Sequence, residues 1–247
     1  MKVLDLSYHP SGVRSGGWVD LSRKDNHGTP YGGARPYMIA PGVMGFEFDG
    51  SSGYVNVASS PTLSSAQDLT IFGCLYMRRG RAETGIAHVW ISKSGNIWGT
   101  DREWYFWQSA ANEILFSVVN ESDTECFSYV VPMNLNEWTY ITATFDGQCS
   151  RVYKNRDLIG VKDCGAGFGN RRLGGNDIHV GGRFNNSNSY NWDGFIAQVV
   201  IEDRAWSEAE IRENMYRSPI YRMLRGLPHS WIYTKVPWKW QGGIYVL

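Results

Sequence analysis

NEWTYITATFDGQCSRVYKNRDLIG, residues 136–160, is the stretch on which the fold turns. In its first arm Trp138, Tyr140, Thr142 and Thr144 fall on one face and Thr139, Ile141, Ala143 and Phe145 on the other. That period of two, in β-branched and aromatic residues, predicts a strand. Asp146-Gly147 breaks it, because glycine tolerates the positive φ of tight turns. Residues 150–155 return, and Asn155-Arg156-Asp157 turns the chain again into Leu158-Ile159-Gly160. Two consecutive turns make an antiparallel meander on which the other apolar runs can pack.

Outward from the meander, residues 69–77 alternate Leu69, Ile71, Gly73 and Leu75 against Thr70, Phe72, Cys74 and Tyr76, a second strand. Arg78, Arg79 and Arg81 follow it as a basic knot, where charge blocks unwanted edge pairing. Residues 3–6, 44–49, 54–57, 88–92, 104–108, 114–119, 126–131, 178–182 and 194–202 also read as strands with turn residues between them. Such spacing indicates a sandwich or barrel. Residues 7–41 are rich in Gly, Pro, Ser and Asn and read as a long irregular segment pinned by Trp18, Leu21, Tyr31 and Tyr37. Ser207-Glu208-Ala209-Glu210 has the form of a capping box and predicts a helix to about Tyr216, stopping before Pro219.

At 247 residues the chain is long enough for a full core without disulfide staples. Its 24 basic and 24 acidic residues balance, so it has no global field for nucleic acid or anionic lipid, and neither is an expected partner. No apolar stretch reaches the ~18 residues of a membrane-spanning helix, and the N-terminus lacks the apolar run of a secretion signal. Cys74, Cys126, Cys149 and Cys164 show no paired spacing of the zinc type. Reduced thiols are expected, with Cys74 and Cys126 as small core hydrophobes and an approach of Cys149 to Cys164 left open. From Asn214 onward there is no Asp or Glu, while Arg217, Arg222, Arg225, Lys235 and Lys239 are basic and Trp231, Tyr233, Trp238, Trp240 and Tyr245 aromatic. This tail either lies in the domain's own grooves or is a docking arm, since Arg and aromatic residues anchor interfaces.

DNHGT at 25–29, FEFDGSSGYV at 46–55, EWT at 137–139, TFDG at 144–147, YKN at 153–155, WDGFI at 192–196 and RAWSEAEI at 204–211 together resemble the laminin G-like jelly-roll domain of the concanavalin A-like lectin/glucanase superfamily. The resemblance implies an all-β, two-sheet antiparallel jelly-roll sandwich with one short C-terminal helix. It divides the chain into a domain at 1–216 and a basic, aromatic tail at 217–247. Two departures matter: the closing acidic pair appears as Ala197-Gln198, and the second turn has Asn155-Arg156 in place of Asn-Gly. Calcium, a hard cation that takes oxygen ligands, is left with Asp49 and Asp193 as candidate ligands; no other cofactor is implied. The segment from Tyr216 to Arg225 is similar to the ends of phage-encoded jelly rolls. That similarity implies a virion protein, a capsid decoration or tail-associated component assembled in the host cytoplasm. Its expected partners are major capsid or tail proteins and further copies of itself.

Glu121, Asp123 and Glu125 have the alternate spacing of glucanase carboxylates, but they sit between two strands and read as a solvated turn. No nucleophile motif, P-loop or dinucleotide fingerprint occurs, so the expectation is a protein without catalysis. Glycan binding fits better. Asn185, Asn186, Asn188, Tyr190 and Trp192 combine amides with aromatic faces and are the candidate ligand residues, cell-surface glycans the candidate ligands. Trp104-Tyr105-Phe106-Trp107 is a second candidate, one alternate pair in the core and the other facing out. Arg222, Arg225, Trp231, Tyr233, Trp238 and Trp240 are the candidate docking residues. The leading expectation is a non-catalytic virion component; the alternative is a free, extracellular lectin-type module, and a glycoside hydrolase ranks third.

Overall fold

The computed structural model describes residues 1–7, 13–14, 17–64, 67–95, 101–110, 112–182, 190–225, 239–241 and 244–246. From the N-terminus the strands are β1 (Lys2–Leu6), β2 (Val13–Arg14), β3 (Gly17–Trp18), β4 (Gly28–Tyr31), β5 (Arg35–Ala40), β6 (Val43–Asp49), β7 (Tyr54–Val57) and β8 (Leu69–Met77). After the single-turn helix α1 (Arg81–Thr84) come β9 (Ile91–Ser94), β10 (Arg102–Ala110), β11 (Glu113–Val119), β12 (Glu125–Phe127) and β13 (Val131–Pro132). Then follow β14 (Trp138–Phe145), β15 (Cys149–Lys154), β16 (Asp157–Asp163), β17 (Ile178–Val180) and β18 (Asp193–Glu202). Two helices, α2 (Glu208–Arg217) and α3 (Pro219–Leu224), precede a separate hairpin of β19 (Lys239–Gln241) and β20 (Ile244–Val246).

β14, β15 and β16 form the expected meander, Phe145 opposite Ser150 and Lys154 opposite Asp157. Gly147 takes φ 85° at the first turn. At the second, Asn155 itself takes φ 56° and its Oδ1 accepts the Tyr140 N–H at 3.1 Å, so no glycine is required after it. β14 pairs with β8 along its whole length, Trp138 opposite Tyr76 through Phe145 opposite Leu69. The first sheet runs β16-β15-β14-β8-β18-β6-β5, with β1 beside the other half of β18. The second runs β12-β11-β10-β9-β17-β7-β4-β3-β2, with β13 beside β11. Only residues 50–53 separate β6 from β7, yet those strands lie in different sheets, so the chain arches across the sandwich there.

The core lies between the sheets. Ile141, Ala143 and Phe145 from β14 and Ile71 and Leu75 from β8 face Ile91, Trp104, Phe106 and Phe116. The Ile, Leu and Phe side chains among them each contribute roughly 1.5–3 kcal/mol by leaving water. Gly73 interrupts the inward face of β8 because Trp90 lies on its bare backbone; a Cβ there would meet the indole at 2.7 Å. A second core covers the opposite face of the same strands, where Phe72, Cys74, Tyr140 and Tyr153 are buried by Trp206, Ile211, Met215 and Ile220.

The capping box forms as expected: Ser207 accepts the Glu210 N–H and Glu210 accepts the Ser207 N–H at 2.8 Å. The helix ends at Arg217, but Pro219 does not close the domain. It opens α3 as a first-turn residue, where its missing N–H costs nothing. The Tyr140 hydroxyl donates to Ser218 Oγ at 2.6 Å and accepts the Tyr221 N–H at 3.0 Å. The packing on this face therefore extends past residue 216, to Met223.

Three other expectations are corrected. Residues 7–41 contain the strands β2 to β5; β5 escaped notice because it is an edge strand with no buried alternation. Residues 126–131 split into β12 and β13 where Ser128 turns its hydroxyl to accept the Phe116 N–H. The thiols are not all reduced: Cys126 on β12 and Cys164 just past β16 form a disulfide, Cα–Cα 5.4 Å, joining the outermost strands of the two sheets. Cys149, which pairs with Asp163 on β16, is not bonded to Cys164, whose sulfur is taken by Cys126. Cys74 and Cys149 are free.

Candidate functional site

Backbone register lines up five residues across one end of the first sheet's outer face. Trp138 on β14 is opposite Tyr76 on β8, Tyr76 opposite Phe195 on β18, Phe195 opposite Glu47 on β6, and Glu47 opposite Arg35 on β5. Tyr37, one pleat along β5, packs on Phe195 with ring centroids 4.6 Å apart; Phe195 meets Tyr76 at 5.5 Å and Tyr76 meets Trp138 at 5.4 Å. Further along the same faces of these strands Tyr140, Cys74, Ala197 and Val43 lie under the C-terminal helices. The row itself does not: Trp138, Tyr76 and Phe195 are half-buried and Tyr37 is 42% exposed. A contiguous half-exposed aromatic strip marks a binding surface more often than scattered apolar residues do.

Polar groups converge on one flank. Arg78 lies 5.1 Å over the Phe195 ring. Its Nη1 donates to Glu47 at 2.6 Å, its Nε to Asp193 at 2.9 Å and its Nη2 to the Phe48 carbonyl at 2.6 Å. Arg79 Nε donates to the other Asp193 oxygen at 2.5 Å, and Arg35 Nε to Glu47 at 2.8 Å. Arg78 and Arg79 of the basic knot after β8 thus belong to an ion-paired lattice. With Asp49 and Asn136 it lines a cleft of about 730 Å³, within the range of ligand sites. A second cleft of about 490 Å³ is lined by Trp138 together with Tyr221, Arg156, Leu224 and Arg225. Asn136 borders both, held at φ 57° with its Oδ1 accepting the Tyr76 hydroxyl at 3.4 Å.

Asp49 and Asp193 are direct cross-strand partners, as a shared ion would need. Their oxygens are otherwise engaged. Partial burial pushes the Asp49 carboxyl up, but the N–H groups of Ser52, Ser51 and Gly53 and the Ser52 hydroxyl outweigh it and hold the group well below the usual carboxylate range. Asp193 is held by two guanidinium groups. A calcium ion would have to displace all of these donors, so the residues present do not fit it. Among the described residues no three His, Cys, Asp or Glu side chains are grouped to hold a metal.

The other residues singled out in the sequence fall in several places. Asn185, Asn186 and Asn188 lie outside the described residues. Tyr190 is half-buried, its carbonyl accepting the Val89 N–H at 3.0 Å. Trp192 is 0% exposed and its indole N–H donates to the Tyr76 carbonyl at 3.3 Å, so it is core and presents no face to a sugar. Trp104 and Phe106 are in the core; on the opposite face Tyr105 is buried with its hydroxyl on Glu125 at 2.9 Å, and Trp107 is half-buried. Glu121 and Asp123 occupy the turn between β11 and β12 and Glu125 opens β12, with Asp123 at φ 66° paired to Arg172 at 3.0 Å and Glu125 paired to Arg102. Arg222 is half-buried on α3, and Arg225 is exposed, 5.6 Å over Tyr221. Trp231, Tyr233 and Trp238 lie outside the described residues; Trp240 pairs with Tyr245 in the terminal hairpin. Sequence reading missed Tyr37, Tyr76, Phe195 and Trp138 as a set. The signal available was an outward aromatic near the end of each strand, but only register makes it a row.

The family described as the Concanavalin A-like lectin/glucanases superfamily matches residues 49–212. Among solved structures, the chain is similar to the binding domain of Paraclostridial Mosquitocidal Protein 1 (TM-score 0.68, 16% identity) and to the botulinum neurotoxin serotype G binding domain (0.67, 18%). It is also similar to the binding domain of botulinum neurotoxin DC in complex with SialylT (0.64, 13%). Each alignment covers 87% of this chain and 51% of the other, so the chain spans about half of those domains. No curated protein matches the chain. At these identities the likeness is one of fold.

Proposed function

The chain belongs to the concanavalin A-like lectin/glucanases superfamily, and from that premise we propose that it is a non-catalytic carbohydrate-recognition module whose binding surface is the outer row of the first sheet. The observation that carries this reading is the Trp138–Tyr76–Phe195–Tyr37 strip, half-exposed and flanked by groups that can pair with hydroxyls. Amphipathic aromatic faces suit the apolar faces of sugar rings, and convergent polar groups fix their orientation. Absence of catalysis is supported by the carboxylates: Glu47 and Asp193 are each ion-paired to arginine, whereas a glycosidase needs one carboxyl kept protonated. A glycan array and calorimetry test the proposal. Trp138→Ala and Phe195→Ala should each weaken binding about tenfold or more with the melting temperature little changed, while Trp107→Ala, on the other sheet, should not. An array on which the intact chain binds nothing sinks the reading.

A second reading, a virion component, draws on the place where the tail leaves. Leu224 and Arg225 border the cleft beside Trp138, and a basic, aromatic segment follows. We propose residues 226–247 as an arm that attaches the module to a larger assembly such as a phage particle. Deleting them should abolish incorporation while leaving glycan binding intact; normal incorporation would rule the arm out.

A further inference from the structure

We infer that the ligand of this surface is an uncharged, extended polysaccharide, recognised without calcium by the ion-paired lattice of Arg35, Glu47, Arg78, Asp193 and Arg79; the inference rests on the carbohydrate reading above. The first ground is charge. The cleft's cations, Arg35, Arg78 and Arg79, face an equal number of anions, Glu47, Asp49 and Asp193, and each arginine is already paired with a carboxylate. An acidic sugar brings a further negative charge to a cleft whose cations are already balanced, and any guanidinium it draws from Asp193, which is 2% exposed, leaves a buried charge without its partner. A neutral hydroxyl pair needs no such exchange. It donates to carboxylate lone pairs and accepts from the remaining guanidinium N–H groups. Arg79 uses only Nε in the lattice and is 61% exposed at its side chain; Arg35 uses Nε and Nη2 on Glu47 and is 72% exposed.

The second ground is length. From Trp138 to Arg35 the row crosses five adjacent strands, which at ~4.8 Å per strand gives roughly 19 Å, more than one sugar ring occupies. The third is Arg78. Its guanidinium holds Asp193, Glu47 and the Phe48 carbonyl, an oxygen set that would suit a hard divalent cation, and it simultaneously covers Phe195. The organic cation therefore does the orienting that a metal would otherwise do.

The full-length chain is tested on an array of neutral polysaccharides (glucans, mannans, galactans, xylans) and acidic ones (polygalacturonate, alginate), with EDTA present throughout. Neutral polymers should bind. Raising the salt from about 50 to about 300 mM should change affinity less than twofold, because no net counterion exchange accompanies binding. A hexasaccharide of the best neutral polymer should bind about tenfold tighter than its disaccharide, and Arg79→Lys, which keeps a cation beside Asp193 but removes the free guanidinium N–H groups, should weaken it about tenfold with the melting temperature little changed. Binding confined to the acidic polymers, binding that returns only on adding calcium, or a steep loss with salt overturns the inference while leaving carbohydrate recognition standing. Silence of the whole array removes both.

Discussion

His179 on β17 is buried beside Tyr54, ring centroids 5.6 Å apart, and burial pushes its imidazole down to about 4. The nearby Asp177 charge opposes the shift without cancelling it. Because the folded state keeps this ring neutral while an unfolded histidine protonates near 6.5, the unfolded chain binds more protons between those values, and stability falls as pH drops through that window. The loss should approach about 3 kcal/mol by pH 4. His88 is lowered in the same direction by burial and adds to it. Urea unfolding at several pH values checks this: the decline should flatten in His179→Asn, and an unchanged slope would show that other groups carry it. None of this was legible in a scattered list of histidines, since it depends on what packs around each ring. The tryptophans teach the same lesson. Trp138 and Trp192 both sit at a strand edge in sequence, yet one is half-exposed and the other sealed. Local alternation says which face a side chain takes but not what covers that face.

At the scale of elements, strands with one consistently apolar face were readable: β8 and β14 run over the residues that alternation predicted. β5 was not, because Arg35 to Met38 are all exposed. α2 was announced by its cap, and Ser207→Ala should cost about 1 kcal/mol, read as a lower urea midpoint with an unchanged slope. α3 was hidden because Pro219 reads equally as a stop or as a first-turn residue, and only the packing of Ile220 decides. Ile220→Ala should destabilise by about 2–5 kcal/mol through the cavity it leaves. A chain ending at Arg225 should melt close to the full chain. One ending at Tyr216 strips the cover from Tyr140 and should lose roughly 3 kcal/mol, or about 6–12 °C. Equal melting of the two truncations would contradict the packing role of α3.

Across the whole molecule, the sandwich was legible because regularly spaced strands with inward aromatics leave few alternatives, whereas the Cys126–Cys164 bridge was not, since sequence carries no distance between residues 38 apart in different sheets. Closing a loop of that length restricts the unfolded chain by about 4 kcal/mol. Reduction should therefore lower the melting temperature by about 8–16 °C. Cys126→Ser should show the same drop and no further response to reductant; a mutant that still responds would implicate other thiols. The outer row has a consequence of a different kind. Its members come from β5, β6, β8, β14 and β18 and span residues 35–195, so no shorter piece of the chain contains the complete surface. Ligand and global fold are then thermodynamically linked. At about 100 times its Kd a sugar should raise unfolding free energy by about 2.7 kcal/mol, and should protect core amides from hydrogen exchange as strongly as those beside it.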